Sequence, residues 1–259
     1  MGAGAMGEAI IAGLINSGTA PSSISVLEKR SERSDEICVQ YGVRKLSAIA
    51  EVSGFAAIFL IVKPQDLAAS VAEISDHITT ETVLISLAAG KKIAGIESGL
   101  QGKKIPVIRV MPNTATMVGA GMAAISLGAG VTPAQREFVA GFLAKSGQVV
   151  EVAEELQDAV TATSGSGPAY FFAFVEAMVA GAKELGLSSE VATQLTVQTL
   201  VGAAKLLAES GKSATELREN VTSPNGTTAA ALNSFSDGDL TELVAKSMKA
   251  ARDRSIELA

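Results

Sequence analysis

From residue 6 to about 152, apolar positions come in short unbroken runs separated by stretches with helical spacing. The runs fall at 24–28, 55–62, 82–87, 105–110, 121–127 and 148–152. A continuous run such as 55–62 suits a strand covered on both faces, as in a parallel sheet. Between the runs apolar residues recur at helical intervals, as in Ile10, Ile11, Leu14 and Ile15. Thr132-Pro133-Ala134-Gln135 is a capping box with proline at the first helical position, and it predicts a helix near 133–145. Strand and helix in alternation predict a doubly wound, Rossmann-type α/β domain over residues 1–152.

Beyond residue 153 the strand pattern fades. Helical periodicity covers roughly 154–163, 168–186, 189–210, 214–220, 227–235 and 239–258, which predicts an all-α domain over 153–259. Ser213-Ala214-Thr215-Glu216 and Asp239-Leu240-Thr241-Glu242 read as helix starts. The helix at 168–186 is apolar nearly all round, with Phe171, Phe172, Phe174, Val175, Met178 and Val179. A small helical domain cannot enclose such a helix from every side, so a second subunit is expected to complete its burial. Glu176 interrupts this apolar stretch and should find a hydrogen-bonding partner, across the dimer or within the chain. The stretch is also too short and too interrupted to suit a membrane span.

Composition narrows the chemistry. Hydrophobic residues make up 47% of the chain with no Trp, so the core is aliphatic. A net charge of −6 argues against nucleic acid or anionic lipid as the main partner. Cys38 is the single cysteine and His77 the single histidine. They leave no basis for a disulfide, a metal cluster or a histidine-based triad, and the expected compartment is the cytoplasm. An enzyme built this way must draw its chemistry from a cofactor.

Gly2, Gly4 and Gly7 have the spacing of a dinucleotide-binding loop leading into the helix of Ile10 and Leu14. Such a loop brings backbone amides at a helix N-terminus close to a pyrophosphate. Glu28 closes the next strand, where an acid reads the ribose hydroxyls, yet Lys29, Arg30 and Arg33 follow and favour a phosphate there. The two signals conflict, and a solvated charge cluster is a third reading. On the expectation that the cations offset Glu28, NADPH is preferred and NADH remains usable. In the helical half, Ser223-Pro224-Asn225-Gly226 is a turn before a helix at Thr227. It is either a plain connection or an anion site, with the hydroxyls of Ser223, Thr227 and Thr228 adding directional hydrogen bonds to a substrate carboxylate.

Taken together, the segments at 2–7 (GAGAMG), 61–65 (IVKPQ), 109–115 (RVMPNTA), 164–172 (SGSGPAYFF) and 221–232 (VTSPNGTTAAAL) resemble the pyrroline-5-carboxylate reductase family over nearly the whole chain. The resemblance implies hydride transfer from NADPH or NADH to the C=N carbon of a small cyclic imino acid, giving L-proline. It implies a cofactor loop at Gly2, Gly4, Ala5, Met6 and Gly7, with Glu28, Lys29 and Arg30 beyond it. It places the nicotinamide side at Val62, Lys63 and Pro64, with Asn113 nearby. The substrate loop maps onto Val221, Ser223, Gly226, Thr227 and Thr228, with the Thr228 hydroxyl at the imine nitrogen. It implies homodimers with interleaved C-terminal helices, often gathered into decamers.

The chain departs from the family pattern at Asn225, where glycine is usual, and at Ala115, where proline is common. Asn tolerates a left-handed backbone, so the turn should survive. Two rivals differ in kind. A β-hydroxyacid dehydrogenase would carry a catalytic lysine within 165–182, which holds none. A non-catalytic dinucleotide-binding protein would have no use for 221–232. The glycine loop normally follows a central strand, so the reading expects an apolar run directly before Gly2, with Met1 as its last residue.

Overall fold

The computed structural model describes residues 1–258. Its chain forms two compact units, Met1–Pro168 with the stretch from Ala250, and Ala169–Lys249.

The first unit alternates strand and helix. In chain order it holds α1 (Ala5–Asn16), β1 (Ser25–Val26), α2 (Ser31–Tyr41), β2 (Arg44–Lys45), β3 (Ala57–Leu60), α3 (Leu67–Ser75), β4 (Val83–Ser86) and α4 (Ile93–Ser98). It continues with β5 (Val107–Met111), β6 (Gly121–Leu127), α5 (Pro133–Ala144), β7 (Gly147–Glu151) and the short α6 (Gln157–Val160). β3 to β7 form one sheet in sequence order, while β1 and β2 form a separate parallel pair. The expected parallel pattern holds except at β5–β6, which run antiparallel.

β4 and β5 are buried throughout, as unbroken apolar runs require. Neighbouring residues point to opposite faces: Leu84 and Val107 join α3 and α4, whereas Ile85 and Ile108 join α1 and α5. Helices therefore cover both faces, as in a doubly wound domain. The capping box starts α5 as expected, with the Gln135 N–H donating to Thr132 Oγ1 at 3.2 Å. The helix expected at 154–163 is broken. Thr161, Thr163 and Ser164 turn their hydroxyls back onto the carbonyls of Gln157, Ala159 and Val160, and the backbone loosens into a π turn at Thr161–Gly165. Back-bonding of this kind competes with the helical ladder.

Arg109 of β5 is 1% exposed, with Glu154 at 3.4 Å and Asp158 at 3.7 Å. Asp158 also accepts from Ser255 Oγ at 2.7 Å, which fastens the chain's last helical turns to this unit.

Between β1 and β3 lies an apolar cavity of about 310 Å³, floored by Ile10, Ile11 and Leu14 of α1. Met1 closes one end: its amine donates to the Phe59 carbonyl at 2.7 Å, and its carbonyl accepts from Ile61 N at 2.9 Å. On the opposite side Gly2 N donates to the Leu27 carbonyl at 2.9 Å. Met1 and Gly2 thus bond to the backbone on both sides of the cavity, although neither belongs to a strand.

The second unit is helical, carrying most of α7 (Gly167–Glu184), then α8 (Ser189–Glu209), α9 (Ala214–Asn220), α10 (Thr227–Asp237) and the first half of α11 (Leu240–Glu257). Ser213 and Glu216 form the expected capping box on α9, whereas Asp239, at φ +53°, has no side-chain hydrogen bond among the described residues. Among the described residues of this unit only Ala192 and Thr196 are buried. Phe171 and Phe172 are 59% and 63% exposed, and Glu176 stands among them on α7, also exposed. Such a helical array has no core of its own, and an apolar surface of that extent calls for a partner.

Candidate functional site

The glycine loop folds as its residue types demand. Gly2 has φ +89°, and a Cβ there would run into the carbonyl of Ile61; one on Gly7 would run into the carbonyl of Gly2. Only glycine lets the loop, α1 and the end of β3 approach so closely. Gly4 occupies the N-cap of α1 and offers no side-chain oxygen to its first turn. The amides of Ala5, Met6 and Gly7 therefore start a helix without a side-chain cap, a ready anion site.

This helix end opens on a groove of about 830 Å³. The groove brings together seven of the sequence-predicted residues, Gly2, Gly4, Glu28, Lys29, Arg30, Val62 and Lys63. Pro64 begins the single turn that follows Lys63, closed by Asp66 N donating to the Lys63 carbonyl at 2.9 Å. Its far wall comes from Ser47 to Ile49 after β2 and from Ser70 and Glu73 of α3. None of these carries a motif, and their place follows only from the path of the chain. The groove has the size, the glycine-shaped floor and the uncapped amides that a dinucleotide requires.

Glu28 is tied into the loop. Its carboxylate accepts from Ala3 N at 2.7 Å, from Arg30 N at 3.1 Å and from Arg30 Nε at 3.3 Å. Burial alone would raise its pKa, but these hydrogen bonds outweigh it and hold the carboxyl below the usual range. Lys29 and Arg30 are exposed at the groove. Arg33 turns away toward Ala3 and Glu8.

Asn113 does not line the groove. Its amide donates to the Ser164 carbonyl and accepts from Met122 N, both at 3.1 Å, which stitches the end of β5 to β6 and the π turn.

The second set of residues lies at the start of α10. Asn225 adopts φ +58°, the left-handed conformation expected of it, and Gly226 N closes the turn onto the Ser223 carbonyl at 3.0 Å. Thr227 and Thr228 are the first two residues of α10. The hydroxyls of Ser223, Thr227 and Thr228 have no hydrogen bond among the described residues, and Val221 is 64% exposed beside them.

Residues 154–258 match the family model described as pyrroline-5-carboxylate reductase dimerisation, and residues 1–90 match that of an NADP oxidoreductase, coenzyme F420-dependent. A pyrroline-5-carboxylate reductase from Corynebacterium melassecola is 38% identical, covering 100% of this chain and 97% of the relative. A solved pyrroline-5-carboxylate reductase from Coxiella burnetii superposes with a TM-score of 0.92 at 35% identity, covering 100% and 96% of the two chains. A Plasmodium falciparum pyrroline carboxylate reductase, solved with NADP bound, gives 0.87 at 26% identity over 100% and 96%.

Proposed function

This chain belongs to the pyrroline-5-carboxylate reductase family, and on that premise we propose how its own residues divide the work of reducing the imine to L-proline, the last step of proline biosynthesis. The single observation that carries the assignment is the groove in which the glycine loop, Glu28, Lys29, Arg30, Val62 and Lys63 meet. When bound there, the reduced nicotinamide dinucleotide supplies the hydride. The amides of Gly4 to Gly7 hold the pyrophosphate, and Val62, Lys63 and Pro64 receive the nicotinamide end.

The turn at 223–226 and the amides opening α10 bind the substrate carboxylate, with the Ser223 and Thr227 hydroxyls directing it. Thr228 Oγ1 accepts from the N–H of the protonated imine and orients the C=N carbon for hydride attack. The ring nitrogen keeps its proton throughout, so the product is a neutral secondary amine before it equilibrates with water. A protonated imine is already electrophilic, and the reaction needs no strong acid, in keeping with a chain whose one histidine, just after α3, does not line the groove. Oxidation of NADPH or NADH that depends on added pyrroline-5-carboxylate tests the assignment. Its absence in the folded, assembled protein would overturn it.

NADPH is the preferred cofactor on this reading, because Lys29 and Arg30 are exposed at the groove and Arg30 meets Glu28 through Nε alone. Replacing both with Ala should raise the KM for NADPH by tenfold or more, about 1.4 kcal/mol, and leave that for NADH nearly unchanged. Equal effects on both cofactors would return these residues to the solvated surface.

The family match supports an oligomer through the helical unit. We assign interleaved C-terminal helices to the dimer and allow for decamers built from it. Ser189–Glu209 is long and apolar enough to span a bilayer, with a mean hydropathy of 1.2. It lies inside the stretch matched by the dimerisation model, so a partner's helices and not lipid are assigned to its apolar face. The enzyme so described works in the cytoplasm.

A further inference from the structure

Directly behind the groove, one peptide segment is held from both sides. Ala3 is fully buried between Gly2 and Gly4. Its N–H donates to Glu28 Oε2 at 2.7 Å, and its carbonyl accepts from Arg33 Nε at 2.8 Å. The rest of the Arg33 guanidinium is also engaged: Nη2 pairs with Glu8 of α1, and Nη1 donates to Glu36 of α2 at 3.1 Å. Glu8 is held in turn, accepting from the Tyr41 hydroxyl at 2.9 Å and the Gln40 amide at 3.2 Å. Loop, α1 and α2 therefore converge on one guanidinium.

A side chain that reads a ribose phosphate must be free to turn toward it, and the Arg33 guanidinium is fixed at all three nitrogens, with three of its five N–H groups held by Ala3, Glu36 and Glu8. Its side chain is 22% exposed, against 65% for Arg30. We infer that Arg33 is a positioning residue that braces the glycine loop through Ala3 and Glu8, leaving the choice between the two cofactors to Lys29 and Arg30. This rests on the groove being the dinucleotide site. The hydrogen bonds from Arg33 and Tyr41 keep Glu8 ionised below the usual carboxylate range, so the brace stays charged across the neutral region.

The amides that the brace aligns face a pyrophosphate common to NADPH and NADH. Loosening the loop must therefore cost both cofactors the same factor, whereas losing a phosphate reader costs NADPH alone. The test is direct titration of NADPH and NADH, followed by nicotinamide fluorescence, on the assembled protein and its Arg33→Met and Arg33→Lys variants. Both dissociation constants should rise about tenfold, with their ratio unchanged to within about twofold. Glu8→Gln, which keeps the Tyr41 and Gln40 contacts but removes the charge pair, should give a smaller rise at the same ratio, and it decides the matter if Arg33→Met fails to fold. A loss confined to NADPH would make Arg33 a reader and overturn the inference. So would unchanged binding of both cofactors by a folded Arg33→Met. A parent protein that binds neither nucleotide would overturn the groove assignment itself and this inference with it.

Discussion

Replacing Thr228 with valine should lower imine turnover by about ten- to a thousandfold at saturating substrate and cofactor. Valine keeps the branched shape, so the change isolates the hydroxyl. Nothing in the fold depends on that hydroxyl: it has no hydrogen bond among the described residues, and α10 starts at Thr227 on the strength of the turn before it. The turn is fixed independently by the Gly226–Ser223 hydrogen bond and the left-handed Asn225. The effect should appear in kcat more than in KM, because the neighbouring amides proposed to hold the carboxylate are unchanged. A folded, assembled variant with unchanged kcat would remove Thr228 from the chemistry and leave it a helix-start residue.

That Thr228 can be singled out at all reflects how unevenly the sequence displays its structure. β3 to β6 announce themselves because strands covered on both faces must be apolar at every position, and Val83–Ser86 and Val107–Met111 are buried throughout. The same property conceals strand direction: a buried antiparallel strand such as Gly121–Leu127 reads like its parallel neighbours. β2 is invisible for the opposite reason. It is two residues long, Arg44 and Lys45, and neither is buried. Without it the path to Ser47 and Ile49, and so the far wall of the groove, could not be placed. Motifs such as the glycine loop were legible because steric exclusion permits no other residue at Gly2 and Gly7. The work of Arg33 was not, since a basic residue three positions past Arg30 looks the same whether it faces a ligand or a backbone carbonyl.

A chain that carries six β-branched apolar residues directly before Met1 should be more stable than the chain that begins at Met1 by several kcal/mol and melt about 10 °C or more higher. The slot between β1 and β3 has the features of a strand position. Strand alternation sends the backbone groups of Ser25 and Leu27 away from β2, and those of Ala57 and Phe59 away from β4, so both edges face the slot. Met1 and Gly2 already make the last hydrogen bonds of such a strand, to Phe59, Ile61 and Leu27. The space ahead of them is an apolar cavity of about 310 Å³. Burying a β-branched side chain contributes about 1.5–3 kcal/mol, against about 1–2 kcal/mol for ordering its backbone. Pairing along two edges adds to that balance. The extension also removes a local cost. Burial lowers the Met1 amine from 8.0 to about 6. A base with a depressed folded pKa contributes stability that is complete above 8 and is lost as the pH falls through about 6. In the extended chain that amine becomes a peptide nitrogen, so its share of the pH dependence should vanish. Urea unfolding at pH 6 and pH 8 measures both effects, with an extension of alternating Asp and Pro as the control. Equal stability of the apolar and the control extensions would show that the slot between β1 and β3 does not accept a strand.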